Sequence, residues 1–205
     1  MSVYDIEPPR DSITILHAQD RKAVCAKLLR PDGQIEHAIK PGKFFEYGSV
    51  PLNGLADLHA TLLGLERDRL AFPIRGLLKP EFPLGQYHPR RLTHVDDVPH
   101  HWLCLDFDEV EAPPSIAPTD PHAARWLVEQ RLPKAFQESA FILQWSSSAG
   151  TSKAGRRIKC HLWFWLDRKY TSAELKPWVK SVGADPALFN AVQPHYTAAP
   201  EFVKC

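Results

Sequence analysis

The sequence has no long apolar segment, no paired cysteine motif and almost no net charge. No run approaches the roughly 20 apolar residues that a membrane-spanning helix needs, and the first 30 residues lack the apolar core of a signal peptide. The cysteines are scattered, with no C-x-x-C pair and no cysteine–histidine spacing suited to zinc: Cys25, Cys104, Cys160 and Cys205. We therefore expect a soluble, cytoplasmic protein without a membrane partner, whose cysteines are thiols in a reducing compartment.

The amino-acid composition excludes few other classes of protein. The 25 basic and 24 acidic residues leave a formal net charge of +1, so only the local distribution of charge can indicate a partner. The chain of 205 residues is long enough to bury a core. It stops just after the apolar segment 202–205, which suggests one part of a longer protein.

Hydrophobic patterns predict a β-rich first half. Apolar and β-branched residues predict strands over 12–16, 23–29 and 43–50. Leucines at nearly helical spacing predict a helix over 55–70, with Asn53 as its N-cap. This helix should pack its apolar stripe against the strands.

The second half predicts alternating helices and strands. Residues 119–121 combine a capping residue with proline at the first helical position, and Pro133 predicts a kink or break in that helix. Residues 171–174 form a capping box that opens another helix. Apolar runs predict buried strands over 140–145 and 158–166.

A further apolar run, residues 102–105, leads into two carboxylates. Asp106 and Asp108 are two apart, so in a strand they point to the same face. Two ionised carboxylates so close repel each other, and a divalent cation removes that repulsion while leaving coordination positions for phosphate oxygens. The alternative is a strand end with two solvated acids.

A serine-rich basic loop precedes the strand over 158–166. Residues 146–157 contain three basic residues and no acid, and they lead to Lys159 and His161 on one strand face. A single histidine in an apolar strand is usually a core residue, but its position beside Lys159 and this loop favours a functional role. Asp185 is either an N-cap or a third metal carboxylate, and the residues alone favour the cap.

Taken in order, Asp106-x-Asp108, Lys159-Cys160-His161 and Asp185 resemble the motifs of the archaeo-eukaryotic primase superfamily, especially the primase-polymerase lobes of plasmid and phage replication proteins. The resemblance spans about residues 10–203, with Lys159 where many members have serine. It implies an α+β fold with an antiparallel sheet like that of the RNA-recognition motif. One domain over 1–205 would comprise a β-rich N-terminal lobe (about 1–98) and a catalytic lobe (about 99–205).

The resemblance also implies an activity, namely primer synthesis from ribo- or deoxynucleoside triphosphates on a single-stranded DNA template. Asp106, Asp108 and Asp185 would hold two magnesium or manganese ions, and His161 would be a further catalytic residue. Candidate nucleotide-binding residues are Ser146, Ser147, Ser148, Arg157, Lys159 and His161. Candidate contacts to template or primer are Arg75, His88, Arg90, Arg91, Lys153, Arg156 and Tyr196. Such lobes are often fused to a helical primase region and a helicase, so a fused or separate helicase is an implied partner.

Two other functions remain open. Residues 106–110 also fit the D-x-D-x-[TV] nucleophile motif of haloacid dehalogenase-like phosphatases, with Ser146 and Lys159 as later partners. Those enzymes need a further acidic pair, which is missing, and their nucleophile strand usually comes first in a parallel sheet, whereas about 100 residues precede it here. The third interpretation is a non-catalytic nucleic-acid-binding module of a replication initiator.

Overall fold

The computed structural model describes residues 10–32, 34–37 and 39–203 as an α+β protein with mainly antiparallel sheets, as predicted. The helices are α1 (Leu55–Glu66), α2 (Pro121–Arg131), α3 (Lys134–Gln137) and α4 (Ser172–Ser181), with 3₁₀ helices at Leu92–His94 and Pro186–Phe189. The strands are β1 (Asp11–Ala18), β2 (Leu28–Leu29), β3 (Ile35–His37), β4 (Phe44–Leu52), β5 (Ala71–Ile74), β6 (Leu77–Leu78), β7 (Tyr87–Pro89), β8 (Val95–Asp96), β9 (His100–Glu111), β10 (Ile142–Trp145), β11 (Arg157–Tyr170) and β12 (Glu201–Phe202).

The first sheet is antiparallel, with strand order β5-β1-β4-β7. Strands β1 and β4 confirm two of the three predicted N-terminal strands. The predicted strand over 23–29 is wrong for most of its length, because only β2 and an isolated bridge at Val24 pair there. Ala23 and Cys25 are buried, but their N–H groups donate to the carbonyls of loop residues. An irregular segment therefore fills the core with the same apolar residues that a strand would supply.

Helix α1 packs Leu58, Leu62 and Leu65 into the interior, as the leucine spacing predicts. It ends at Glu66, earlier than predicted. The predicted N-cap is also wrong: Gly54 occupies that position, and no side chain caps it.

The second sheet carries the acidic strand. Its order is β10-β11-β9, all antiparallel. Strands β10 and β11 confirm the predicted strands, although β10 is only half-buried. The helices α2, α3 and α4 contribute Leu127, Phe136 and Val179 to the core of this sheet. The chain order is therefore strand, two helices, two strands and helix.

The helix boundaries in this half confirm the predicted signals. Asp120 caps α2 by accepting the N–H of His122 at 2.8 Å. Pro133 separates α2 from α3. Thr171 and Glu174 make both hydrogen bonds of a capping box at the start of α4. These boundaries hold the helices against the face of the sheet opposite the acids.

The chain returns to the first sheet near residue 200. Strand β12 pairs in parallel with β2, and Ala191 belongs to the apolar cluster of the first sheet. Gly76 lies against this returning segment, with its N–H 2.7 Å from the carbonyl oxygen of Ala191. A Cβ at Gly76 would lie 2.8 Å from that same oxygen, so the close approach requires glycine. Residues from both halves of the chain thus pack around the first sheet. The apolar core therefore continues across the predicted lobe boundary near residue 98.

The thiols and the apolar runs lie in the interior. Cys25, Cys104 and Cys160 are buried and form no disulfide, whereas Cys205 lies outside the described residues. No helix within the described ranges has both the length and the apolar character to cross a membrane.

Candidate active site

The two acids of β9 project from the sheet face opposite the helices. Asp106 is the more enclosed, with its side chain 16% exposed, and Asp108 is 47% exposed. The register between β9 and β11 shifts between Ile158 and Cys160, so Asp108 and Glu109 together face one residue, Lys159. Such a bulge re-aims side chains at the end of a ladder. It brings the second acid and the lysine of the adjacent strand together.

Asp106 is a carboxylate that the fold leaves unsatisfied. Its Oδ1 atom is buried and accepts no hydrogen bond from any residue that the structure describes. His161 Nε2 lies 3.5 Å from this oxygen, a close approach without the geometry of a hydrogen bond. Burial, together with the charges of Asp108 and Asp185, raises the pKa of Asp106 from 3.8 to about 7. The site therefore favours any cation or donor that reaches this oxygen.

Two lysines balance the acids. Lys159 Nζ lies 2.6 Å from Asp108 Oδ1, and the lysine side chain is only 13% exposed. Lys27, from the segment before β2, is half-buried beside the same group. Burial lowers the pKa of Lys27, while the charges of Asp108 and Asp106 oppose that shift. Acids and amines from three elements are thus collected at one edge.

Asp185 fulfils the cap prediction and also lies beside β9. Its carboxylate accepts the N–H of Ala187 at 2.8 Å and caps the 3₁₀ helix Pro186–Phe189. Its own N–H donates to the carbonyl oxygen of Asp106 at 2.9 Å. The two interpretations of Asp185 are therefore compatible, because the cap engages one carboxylate oxygen and the position brings its charge to Asp106.

The carboxylate oxygens suit a magnesium ion that keeps water or phosphate ligands better than a metal ion enclosed entirely by side chains. Within the described ranges, no group of three or more His, Cys, Asp or Glu side chains is arranged to hold a metal. Magnesium, however, is commonly bound by one or two carboxylates together with water and substrate phosphates. The unpaired Oδ1 of Asp106 and the adjacent carboxylate of Asp108 fit that mode.

The serine-rich turn begins where β10 ends. Ser146 N–H donates to the carbonyl of Lys159 at 2.9 Å, so the turn starts beside the acid–lysine pair. Ser146 Oγ and Ser148 Oγ lie 3.3 Å apart, and Gly150 takes a positive φ of 71° that favours glycine. Ser146 and Ser147 line a groove of about 480 Å³ that runs between β10, α1 and residues 196–202. The groove adjoins the acids but does not contain them.

Sequence reasoning missed Gln144 and Lys27. Gln144 lies between the groove and the acids, and it contacts both His161 and the Thr197 carbonyl. Each is a lone polar residue in an apolar run, and Gln144 shares a strand face with Ser146. That signal could have identified them. Three more buried side chains have polar atoms without hydrogen bonds: Trp163, His195 and Thr197.

Two of the three basic residues of the loop, Arg156 and Arg157, are already engaged. Arg157, a predicted nucleotide-binding residue, forms an ion pair with Glu109 at 3.2 Å and donates to two backbone carbonyls. Arg156 donates to three carbonyls between residues 112 and 116. Lys153 is exposed, and its charge contributes to lowering the pKa of Lys27.

The prediction that Arg75 contacts template or primer is wrong. It is fully buried and donates to Ser172 Oγ and to the carbonyls of Trp102 and Tyr170, so no template can reach it. Arg91, in contrast, is exposed.

The other three candidates are partly buried. Arg90 donates to the Val192 carbonyl. His88 contacts the Pro83 carbonyl. Tyr196 packs edge-on against Phe72, with ring centroids 5.5 Å apart. These contacts give them structural partners. Three cations of the predicted set are exposed, namely Arg91, Lys153 and Arg156, and Arg156 already donates to three carbonyls.

Comparisons with protein-family models, with curated proteins and with solved structures return no match. A functional assignment therefore depends on the residues and the geometry of the chain itself.

Proposed function

We propose that this chain is a metal-dependent nucleotidyltransferase of the primase-polymerase kind, acting on nucleoside triphosphates at a single-stranded DNA template. The observation that carries the proposal is the meeting of Asp106, Asp108 and Asp185 with Lys159 and Lys27 at one sheet edge. Clustered carboxylates next to amines are the polarity that a metal–triphosphate complex requires.

Each residue has a role that follows from its surroundings. Asp106 and Asp108 would hold divalent cations, which when bound neutralise charge on the transferring phosphate. Lys159 and Lys27 supply positive charge for the triphosphate. The hydroxyls of Ser146 and Ser147, which line the groove, and of Ser148 in the same turn supply hydrogen-bond donors to phosphate or sugar oxygens. The groove has the size of a small-molecule site.

The element order adds support. Strand β9, helix α2 with the short α3 after it, strands β10 and β11 and helix α4 follow one another, with sheet order β10-β11-β9. This order matches the first five elements of the β-α-β-β-α-β arrangement to which RNA-recognition-motif-like sheets belong. Within the described residues the sheet has three strands, and the fourth strand of that arrangement has no counterpart among them.

The geometry favours nucleotidyl transfer over the phosphatase alternative. The phosphatase fold would place its nucleophile strand in a parallel sheet, whereas β9 pairs antiparallel with β11.

The proposal is tested by the incorporation of labelled nucleotide on single-stranded DNA, with magnesium or manganese and without primer. The native chain is compared with the double variant Asp106→Asn plus Asp108→Asn and with Asp96→Asn, an exposed acid outside the site. We expect template- and metal-dependent products from the native chain and Asp96→Asn, and a loss of several orders of magnitude in the double variant.

Three further measurements separate the alternatives. Extension of a pre-annealed primer, without synthesis from single nucleotides, would mean that initiation needs another region. Hydrolysis of a simple phosphomonoester without incorporation would instead support the phosphatase. Single-stranded DNA binding that survives in the double variant, with no metal-dependent reaction in any protein, would support the non-catalytic module.

A further inference from the structure

We infer that Gln144 is a positioning residue that fixes His161 in the Nδ1–H tautomer, so that an unprotonated Nε2 faces Asp106. The catalytic meaning of this inference rests on the proposed function, whereas the tautomer follows from hydrogen bonding alone.

The three residues form one row across the second sheet. Gln144 pairs with His161 in the register of β10 and β11, and His161 pairs with Asp106 in the register of β11 and β9. Directly opposed residues of antiparallel strands project from the same face with their side chains in contact. The row therefore joins the groove to Asp106, the more enclosed of the two acids of β9.

The amide of Gln144 has one orientation that satisfies its neighbours. Its Nε2 lies 2.9 Å from the Thr197 carbonyl oxygen, which can only accept. The NH₂ group must therefore face Thr197, and Oε1 must face His161. A flipped amide would set two oxygens against each other.

The orientation of the amide decides where the imidazole carries its proton. His161 Nδ1 lies 3.3 Å from Gln144 Oε1, which again can only accept. Nδ1 must then be the donor, and in the neutral ring Nε2 keeps its lone pair. The His161 side chain is only 10% exposed, so water cannot readily replace Gln144 as the partner.

As a consequence, two hydrogen-bond acceptors, one from His161 and one from Asp106, lie next to each other at the centre of the site. His161 Nε2 lies 3.5 Å from Asp106 Oδ1, and this oxygen receives no hydrogen bond. Two such acceptors attract a hydroxyl or a cation and repel a phosphate oxygen. His161 should therefore receive a hydroxyl group of the primer or the nucleotide, while the phosphates bind on the side of Lys159. This assignment differs from the triphosphate contact that the resemblance implies for His161.

The direct test is nitrogen-15 NMR of the native chain labelled at histidine, at neutral pH with chelator. Long-range nitrogen–proton correlations distinguish a protonated from an unprotonated ring nitrogen. His161→Gln identifies the signals of His161 among the ten histidines. We expect a protonated Nδ1 and an unprotonated Nε2, and the opposite pattern in the unaltered protein would overturn the inference.

A matched pair of variants tests the role of Gln144. Gln144→Leu removes the amide at similar volume, so we expect the His161 signals to move toward the Nε2–H form. Thr197→Val alters a neighbouring buried side chain but keeps the carbonyl that holds Gln144, so the tautomer should stay unchanged. An unchanged tautomer in folded Gln144→Leu would contradict the assignment.

Activity is measured separately on the same proteins. We expect Gln144→Leu to lower kcat by about 10- to 100-fold, the size found for groups that orient a site ligand, with little change in the KM for nucleotide. A raised KM with unchanged kcat would place His161 at the triphosphate and overturn the hydroxyl assignment. If the expected tautomers are observed but no protein incorporates nucleotide, the proposed function is contradicted and the role of Gln144 is supported.

Discussion

The ammonium group of Lys159 lies 2.6 Å from Asp108 Oδ1, across the bulge between β9 and β11. The chain thus carries its own cation at the carboxylate that the proposed function assigns to a metal. A divalent ion that binds Asp108 must share or displace this contact.

Replacing Lys159 with methionine should therefore separate metal binding from nucleotide binding. We expect manganese to bind about fivefold more tightly, because a half-exposed ion pair stabilises by about 1 kcal/mol at most. The KM for nucleotide should rise, because a positive charge near the triphosphate is lost. Calorimetric titration with manganese measures the first effect and steady-state incorporation the second. Lys159→Arg is the control that keeps the charge, and weaker manganese binding by Lys159→Met would contradict the competition.

Asp106 should make the protein less stable as the pH rises. Burial raises its folded-state pKa from 3.8 to about 7, so the folded state binds this proton more tightly than the unfolded chain does. The resulting stabilisation is complete below about pH 4 and is lost as the pH rises to about 7. Asp106→Asn should therefore unfold with a larger free energy above pH 7, by on the order of 4 kcal/mol.

Urea unfolding at pH 5 and pH 8, with chelator, measures this difference. The advantage of Asp106→Asn over the native chain should be larger at pH 8, whereas exposed Asp96→Asn should show little change between the two. Equal stabilities of Asp106→Asn and the native chain at pH 8 would show that the carboxylate is not destabilising there.

Divalent metal should raise the melting temperature through the same carboxylates. At a free manganese concentration 100 times Kd, linkage adds about 2.7 kcal/mol, or about 5–10 °C for a chain of this size. Asp106→Asn plus Asp108→Asn should abolish the shift. Asp185→Asn keeps a cap acceptor but loses the charge, so a reduced shift in this variant would identify Asp185 as a ligand rather than a cap alone. An equal shift in all variants would indicate binding elsewhere.

We expect Arg75 to stabilise the folded protein and Arg91 to contribute to the affinity for nucleic acid. Arg75→Met removes a buried guanidinium that donates to Ser172 and two carbonyls, and we expect a loss of about 3 kcal/mol or more in the free energy of unfolding. Exposed Arg91→Met should change stability by less than about 0.5 kcal/mol. Urea unfolding compares the two variants.

The affinity of Arg91→Met for single-stranded DNA provides the second measurement. If Arg91 contacts a phosphate, affinity falls and the salt dependence of binding weakens by about one counterion. An affinity and a salt dependence equal to those of the native chain would remove Arg91 from the interface.

Local signals in the sequence predicted the acidic strand and most helix starts. Alternation places Asp106 and Asp108 on one face whatever the rest of the fold does, and capping residues such as Asp120 and Thr171 act within a single turn. These features need only neighbours in sequence, so they are readable without the structure.

Features that depend on distant partners were not readable. Arg75 appears in a basic, irregular stretch, yet its hydrogen-bond partners lie 27, 95 and 97 residues away. Lys27 reaches acids about 80 residues further along the chain, and the role of Gln144 depends on the carbonyl of Thr197. Strand prediction over 23–29 failed for a related reason, because burial alone does not determine whether an apolar segment joins a ladder.

The parallel pairing of β12 with β2 makes the order of synthesis matter for folding. Glu201 and Phe202 lie beside Leu28 and Leu29, so this part of the molecule cannot be completed until residues near 200 have left the ribosome. Contacts of such long sequence separation slow folding, because a large loop must close before they form. During that interval the emerging N-terminal half exposes the apolar surfaces that Ala191 and its neighbours later cover, and this nascent chain is the form most open to chaperones and to aggregation.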